Sequence, residues 1–417
     1  MLPKAGFLFA DRTNWDLRPN RLSVALAERR AAGLPVIDLT ASNPTECGFV
    51  YDQGAILAAL GNPASMVYVP EPRGLLTARE AVCAYYAARG GLASPDKVSL
   101  EKMSPDDVVL TTSTSEAYSF AFRLLCNAGD EVLVPQPSYP LFDFLAQLHD
   151  VRLVRYPLIY DHGWQIDFHA LRERLTERTR AVIVVHPNNP TGHFCKAREM
   201  AELHEICAGR GMAIIADEVF LDYALDGEAR RSFVAGGAAG QDTALTFTMS
   251  GLSKICGLPQ MKAAWMVTSG PKLAKREALA RLEVIADTFL SMNAPVQHAM
   301  AELLRLRGAL QEQLSERVCA NLAELDRRIG ACHDGAGQGS WARLETEGGW
   351  YAVVRLPAGR DSGGLALALL SGRGVYVHPG HFYELPGTRD VVVSLITPAV
   401  DFSDGASALV ELAADAG

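Results

Sequence analysis

Between about residues 107 and 270 the chain repeats one alternation. Short apolar, β-branched runs (DVVLTT, EVLVPQP, VRLVRYPL, AVIVVHP, AIIADEVF, ALTFTMS, AAWMVTSG) are joined in several places by helically spaced segments such as SEAYSFAFRLLCN and KAREMAELHEICAGR. A run without polar alternation is buried on both faces, and intervening helices supply the cover. The stretch therefore predicts an α/β layer built on a mostly parallel, seven-stranded sheet. In open sheets of this kind ligands sit beyond the carboxyl ends of the strands, so the strand ends come first as site candidates.

Those ends carry Ser113, Thr114 and Ser115 after the first run, Tyr139 after the second, Asn189 after the fourth, Asp217 after the fifth, and Ser250, Ser253 and Lys254 after the sixth. Each has an ordinary reading beside a functional one. The hydroxyl turn before a helix is either an anion cradle or a plain N-cap. Tyr139, between two prolines, either presents a ring face to a flat ligand or packs. Asn189-Pro-Thr-Gly is by itself a good turn. Asp217 needs a cationic or donor partner, either a protonated ring nitrogen or a structural ion pair. Lys254, among small and apolar residues in SGLSKICGLPQMK, is either an exposed lysine on a turn or a desolvated amine able to attack a carbonyl.

With 417 residues, 49% of them hydrophobic, the chain exceeds one ordinary core. Helical stretches (271–289, 295–329) and then a smaller α+β pattern (WYAVVRL, GVYVHPG, DVVVSLI) follow the large layer. The expected division is an N-terminal segment 1–45 packing with the small domain, a large domain 46–290 and a small domain 291–417. The 39 basic and 48 acidic residues leave a net charge of −9, with no long basic run, which argues against nucleic acid or an anionic membrane as partner. Asp11 ends the N-terminal apolar stretch too early for a signal segment, and the expected location is cytoplasmic. Eight cysteines lie scattered, never as a CxxC pair, and read as reduced core thiols. Cys332-His333 and His378 with His381 are isolated donor pairs, and no metal is expected.

Taken together, YVPEPRGLLTAREA (68–81), TTSTSEA (111–117), PQPSYPLF (135–142), HPNNPTG (186–192), ADEVF (216–220) and SGLSKICGLPQMK (250–262) make the sequence resemble the class I/II aminotransferases of the fold type I pyridoxal-phosphate enzymes, over about residues 35–415. The resemblance implies pyridoxal 5′-phosphate as cofactor, with Lys254 as the Schiff-base lysine, Asp217 on the ring nitrogen, Tyr139 stacked on the ring, Asn189 on the ring oxygen and Ser113, Thr114 and Ser115 at the phosphate. Ser250 and Ser253 belong to the same implied cofactor set. Ala41, Ser42 and Asn189 border the substrate. Tyr68 falls where the family reaches across a homodimer interface to the neighbouring phosphate. The implied reaction moves an amino group between an L-amino acid and a 2-oxo acid; another reaction of the same cofactor (lyase, decarboxylase or racemase) and a non-catalytic sensor are the alternatives.

Three positions depart from the family pattern. Lys262 stands for a phosphate-binding arginine and keeps charge without the bidentate fork. Phe220 stands for a tyrosine that donates to the ring oxygen, which predicts a raised Schiff-base pKa unless Tyr223 reaches in. Val392 stands for the arginine that clamps the substrate carboxylate, leaving Arg355, or Arg389, as possible substitutes beside their reading as surface charges.

Overall fold

The computed structural model describes residues 9–89, 103–235, 243–290, 292–333 and 342–414. Its centre is an eight-stranded sheet. The strands are β1 (Val108–Thr111), β2 (Glu131–Gln136), β3 (Arg152–Tyr160), β4 (Trp164–Ile166), β5 (Thr179–Val185), β6 (Ala213–Asp217), β7 (Thr246–Gly251) and β8 (Ala264–Ser269). They lie in the order β1-β8-β7-β6-β5-β2-β3-β4. Neighbours from β7 through β3 pair in parallel, whereas β8 runs antiparallel to both β1 and β7. All seven anticipated runs are strands. The eighth, β4, is a three-residue strand paired antiparallel to β3 at the sheet edge, too short to leave a periodic signature in sequence.

Strand β6 shows why these runs lack polar alternation. Ile214 and Ala216 pack into one core with the helix Ala197–Arg210, while Ala213 and Ile215 pack into another with the helices Thr114–Leu125 and Lys272–Phe289. Both faces are covered, as a parallel sheet requires. The register sets Asp217 opposite Val185 and Met249, so the carboxyl ends of β5, β6 and β7 form one rim.

A four-stranded antiparallel sheet joins Ala342–Arg343, Tyr351–Arg355, Asp390–Ser394 and His378–Pro379 in that order. Near it Ile37–Asp38 pairs in parallel with Val375–Tyr376. The segment that follows is tied down at Leu39, whose carbonyl accepts from the Ser394 amide at 2.6 Å, and at Ala41, whose carbonyl accepts from Ser394 Oγ at 2.5 Å. The helix Ala294–His333 joins the first of these cores to a third apolar cluster. Its first turns (Val296, Met300, Leu303) pack with the helix Leu76–Ala88, and its later ones (Leu314, Val318, Leu325) with the small sheet. The side chains of Cys332 and His333 lie outside the description.

Candidate active site

A cleft of about 370 Å³ opens at the carboxyl rim of the large sheet. Thr114 and Ser115 reach it from the turn after β1, Tyr139 from the turn after β2 and Asn189 from that after β5. Asp217 and Phe220 enter from the end of β6, and Ser253 and Lys254 from the end of β7. Ser42 enters from the N-terminal segment, and Tyr351, His378, Phe382 and Tyr383 close the opposite wall. The strand ends converge as a parallel sheet demands.

Lys254 sits on a single helical turn, Leu252–Ile255, started by Gly251, where a Cβ would come within 2.9 Å of the Ala263 carbonyl oxygen. Its Nζ donates to the Ser42 carbonyl at 3.1 Å and lies 4.9 Å from the ring centre of Trp350 and 5.5 Å from that of Phe220. Burial against these rings disfavours the ammonium and lowers the amine pKa to about 8, with the Asp217 charge opposing the shift. Asp217, at the end of an all-apolar strand, is pushed up to about 6 by burial; the Val219 amide at 3.1 Å and the Tyr118 hydroxyl at 3.1 Å partly offset this. Among the described residues no cation forms an ion pair with it.

At the end of β1, Ser113 acts as N-cap of the helix Thr114–Leu125: its hydroxyl accepts from the Glu116 amide at 3.1 Å and its carbonyl from the Ala117 amide. The amides of Thr114 and Ser115 remain without an intrahelical acceptor, beside their two hydroxyls in the cleft. Glu116 turns back to the amide and hydroxyl of Thr112. The cap reading is therefore correct for Ser113, and Thr114 and Ser115 are the pair that faces the cleft. In the turn after β5, Asn188 supplies the scaffold: its Oδ1 accepts from Thr191 Oγ1 at 2.9 Å, and its carbonyl accepts from the Gly192 amide at 2.7 Å. That leaves Asn189 facing the cleft, with a buried Oδ1 that has no hydrogen-bond partner.

Several expected residues lie elsewhere. The Ser250 hydroxyl donates to the Glu218 carbonyl at 3.2 Å, behind the cleft wall. Lys262 is exposed, in a left-handed conformation (φ 51°), outside the cleft lining. Ala41 contributes its carbonyl to Ser394 and does not line the cleft. Tyr68, expected at a neighbouring subunit's site, is 75% exposed and does not line this chain's cleft. Arg355 is a correction: its guanidinium is paired with both oxygens of Asp390, at 2.9 and 3.1 Å, and it does not line the cleft. It sits at the far end of its strand from Tyr351. Arg389 is exposed and Val392 buried. Tyr223 does not reach in either, since its hydroxyl donates to the Lys254 carbonyl at 2.6 Å.

Tyr118, Tyr351, Phe382 and Tyr383 were not anticipated, and His378 was weighed only as a metal donor and Asn188 only as part of its turn. Of the unanticipated residues Tyr118 alone left a signal, one helical turn beyond Thr114 and so on the same face. The others arrive through tertiary packing of the small sheet or by holding a neighbour.

These features can be tested together against a flat pyridine carrying an aldehyde and a phosphate. An amine of lowered pKa, a buried carboxylate lacking a cation, the cleft-facing side-chain amide of Asn189 with its N–H donors, and two free amides beside hydroxyls suit its aldehyde, ring nitrogen, ring oxygen and phosphate in turn. The residues fit that group.

The fold and site define a chain of the aminotransferase class I and II family, whose pattern it matches over residues 55–399, and the chain belongs to that family. It is similar to the glutamate-pyruvate aminotransferase AlaA of Escherichia coli K12, 32% identical over 273 residues that cover 65% of this chain and 64% of that protein. It is also similar to an alanine aminotransferase of Mycobacterium tuberculosis H37Rv, 30% identical over 277 residues covering 66% and 61%. The matched region thus spans somewhat under two thirds of these relatives. Among solved structures, an Escherichia coli aminotransferase superposes with TM-score 0.82 at 24% identity over 99% of both chains. An alanine aminotransferase from Pyrococcus furiosus superposes with TM-score 0.80 at 22% identity, covering 95% of this chain and 99% of that one. These two likenesses concern the fold.

Proposed function

We propose that this cleft holds pyridoxal 5′-phosphate and transfers an amino group between an L-amino acid and a 2-oxo acid. The observation that carries the reading is the pairing of Lys254, its pKa lowered to about 8, with Asp217, a buried carboxylate raised to about 6, across one rim. When bound, the cofactor supplies an electron sink that accepts the electron pair of a broken bond at the substrate Cα. The chain's own residues do the rest. Lys254 Nζ, whose lowered pKa leaves a usable fraction of free amine near neutral pH, is the group that would bond the cofactor aldehyde and, when freed, would carry a proton to and from the substrate Cα. Asp217, held by Tyr118, would keep a proton on the ring nitrogen. Thr114 and Ser115 would hold the phosphate, and Tyr139 would face the ring.

A homodimer with shared active sites is part of this proposal, supported by the exposed run Met66, Val67 and Tyr68 (89, 62 and 75% exposed). Cytoplasmic residence is supported by the seven described cysteines, all free.

The test is the near-ultraviolet and visible absorbance of purified protein, with mass analysis after borohydride reduction, before and after adding amino acids singly. The expected result is cofactor fixed on Lys254 and converted stoichiometrically to its amine form by particular donors. Cofactor that stays in its aldehyde form with every donor would replace transamination with another reaction, and absence of bound cofactor would remove the proposal.

A further inference from the structure

The cleft presents an imbalance that the proposed reaction leaves open. Among its described lining residues Lys254 is the only cationic side chain, and under the reading above that amine is occupied by the cofactor. Both substrates carry a carboxylate, which must find donors elsewhere on the wall. Arg355 is taken by Asp390, and Arg155 by Asp143 and Glu384.

His378 is the group left with a free donor. It lines the cleft on the strand His378–Pro379, directly across the ladder from Val392. Its Nδ1 lies 3.1 Å from the Tyr383 hydroxyl, and its Nε2 has no hydrogen bond among the described residues. A Tyr383 O–H that donates to Nδ1 leaves the ring proton on Nε2. The pair is fixed from three sides. The Tyr383 carbonyl accepts from the Ser138 amide at 3.0 Å; the next residue, Glu384, is bound by Arg155 at 2.6 and 2.9 Å; and the imidazole packs against Phe382 and Tyr376 at ring separations of 5.4 and 5.5 Å. In that tautomer the imidazole is a donor with a locked ring, lining the same cleft as Lys254.

We propose that His378 binds the substrate carboxylate through Nε2–H, with Tyr383 as its positioning residue, and that the site takes monocarboxylic amino acids with apolar or aromatic side chains. The proposal rests on the reading of the cleft as an amino-acid site. The side-chain preference follows from the wall: Tyr139, Phe142, Phe220, Tyr351 and Phe382 offer ring faces and edges to a side chain, and none supplies the cation that a second carboxylate would need.

Two measurements on the full-length protein test it. The first is calorimetric binding of 3-phenylpropionate, a carboxylate probe that needs no turnover. The second is the half-reaction with L-phenylalanine against 2-phenylethylamine, which lacks the carboxylate. His378→Phe is expected to weaken probe binding roughly tenfold to a hundredfold and to cut the preference for phenylalanine over the amine by a similar factor, mainly in KM, because a hydrogen bond to a charged group is lost. His378→Gln, which retains an N–H donor, should recover part of both, and Tyr383→Phe should show a smaller loss of the same kind. Equal probe affinity in wild type and His378→Phe overturns the proposal. So does an equal loss for acid and amine, which is the signature of a collapsed wall, or a preference for glutamate over phenylalanine in the wild type. Should the purified protein lack cofactor altogether, the reading of the active site falls while the calorimetric measurement still decides His378.

Discussion

Lys254 and Asp217 are displaced in opposite directions by one cause, burial, which penalises whichever form is charged. Attack on an aldehyde needs the free amine, so the rate at which the apoprotein takes up cofactor should rise with pH and level off above about 8; stopped-flow absorbance checks this. A pH-independent rate between 6 and 9 would mean Lys254 is not the attacking group. For Asp217 the sign runs the other way. Its folded pKa of about 6 exceeds the ordinary value of 3.8, so the folded apoprotein binds more protons between these values and loses stability as pH rises through them. The size is on the order of 2–3 kcal/mol. Glu218, also raised by burial, to about 7, adds a fall at slightly higher pH. Urea midpoints of the apoprotein should decline from pH 4 to 7, and Asp217→Asn should flatten that decline. At Phe220, packed edge-on to Trp350 at 5.1 Å, a tyrosine would restore a hydroxyl beside the ring oxygen. Phe220→Tyr is expected to move the pH-dependent absorbance change of the lysine-bound cofactor to lower pH by about one unit; an unmoved titration would show that the hydroxyl does not reach.

The elements carrying these groups are turns that follow strands, and their precision comes from backbone anchors. Gly192 makes this visible. Its φ of +72° is left-handed, and a Cβ there would stand 2.6 Å from the Gly348 carbonyl oxygen and 2.6 Å from Thr346 Cγ2. Gly192→Ala should therefore cost about 1–3 kcal/mol from the backbone strain, with the clash adding to it. Because Asn188 accepts from the Gly192 amide, Asn189 should lose its aim and cofactor affinity should drop in the same variant. Thermal melting with a cofactor titration reads both effects, and an unchanged melting temperature would contradict the close packing of this turn against the 346–348 segment. Ser113 teaches the complementary point. One residue in a run of five hydroxyls is spent capping the helix, and this releases the next two amides for an anion.

At the scale of the whole molecule, the exposed run at Met66 to Tyr68 is the feature a single chain leaves unexplained. A dimer of about 90 kDa is expected in sedimentation, being twice 45.0 kDa. Met66→Asp should shift it toward the monomer and weaken cofactor retention, since Tyr68 would no longer reach a neighbouring site. A wild-type monomer that retains cofactor would remove the shared-site proposal.

Local chemistry already specifies the large sheet, its carboxyl rim and the cleft residues Lys254, Asp217, Asn189, Thr114, Ser115 and Tyr139. Each is the polar end of an apolar run, and the sheet rule converts run ends into neighbours without long-range information. The opposite wall had no such rule. Tyr351, His378 and Tyr383 come from a small antiparallel sheet whose approach to the rim is set by contacts distant in sequence, from Leu39 and Ala41 to Ser394 and from Arg155 to Glu384. The same packing decided Arg355. By sequence it was a free cation near an aromatic pair, and only the ladder that sets it opposite Asp390 shows that its charge is already spent.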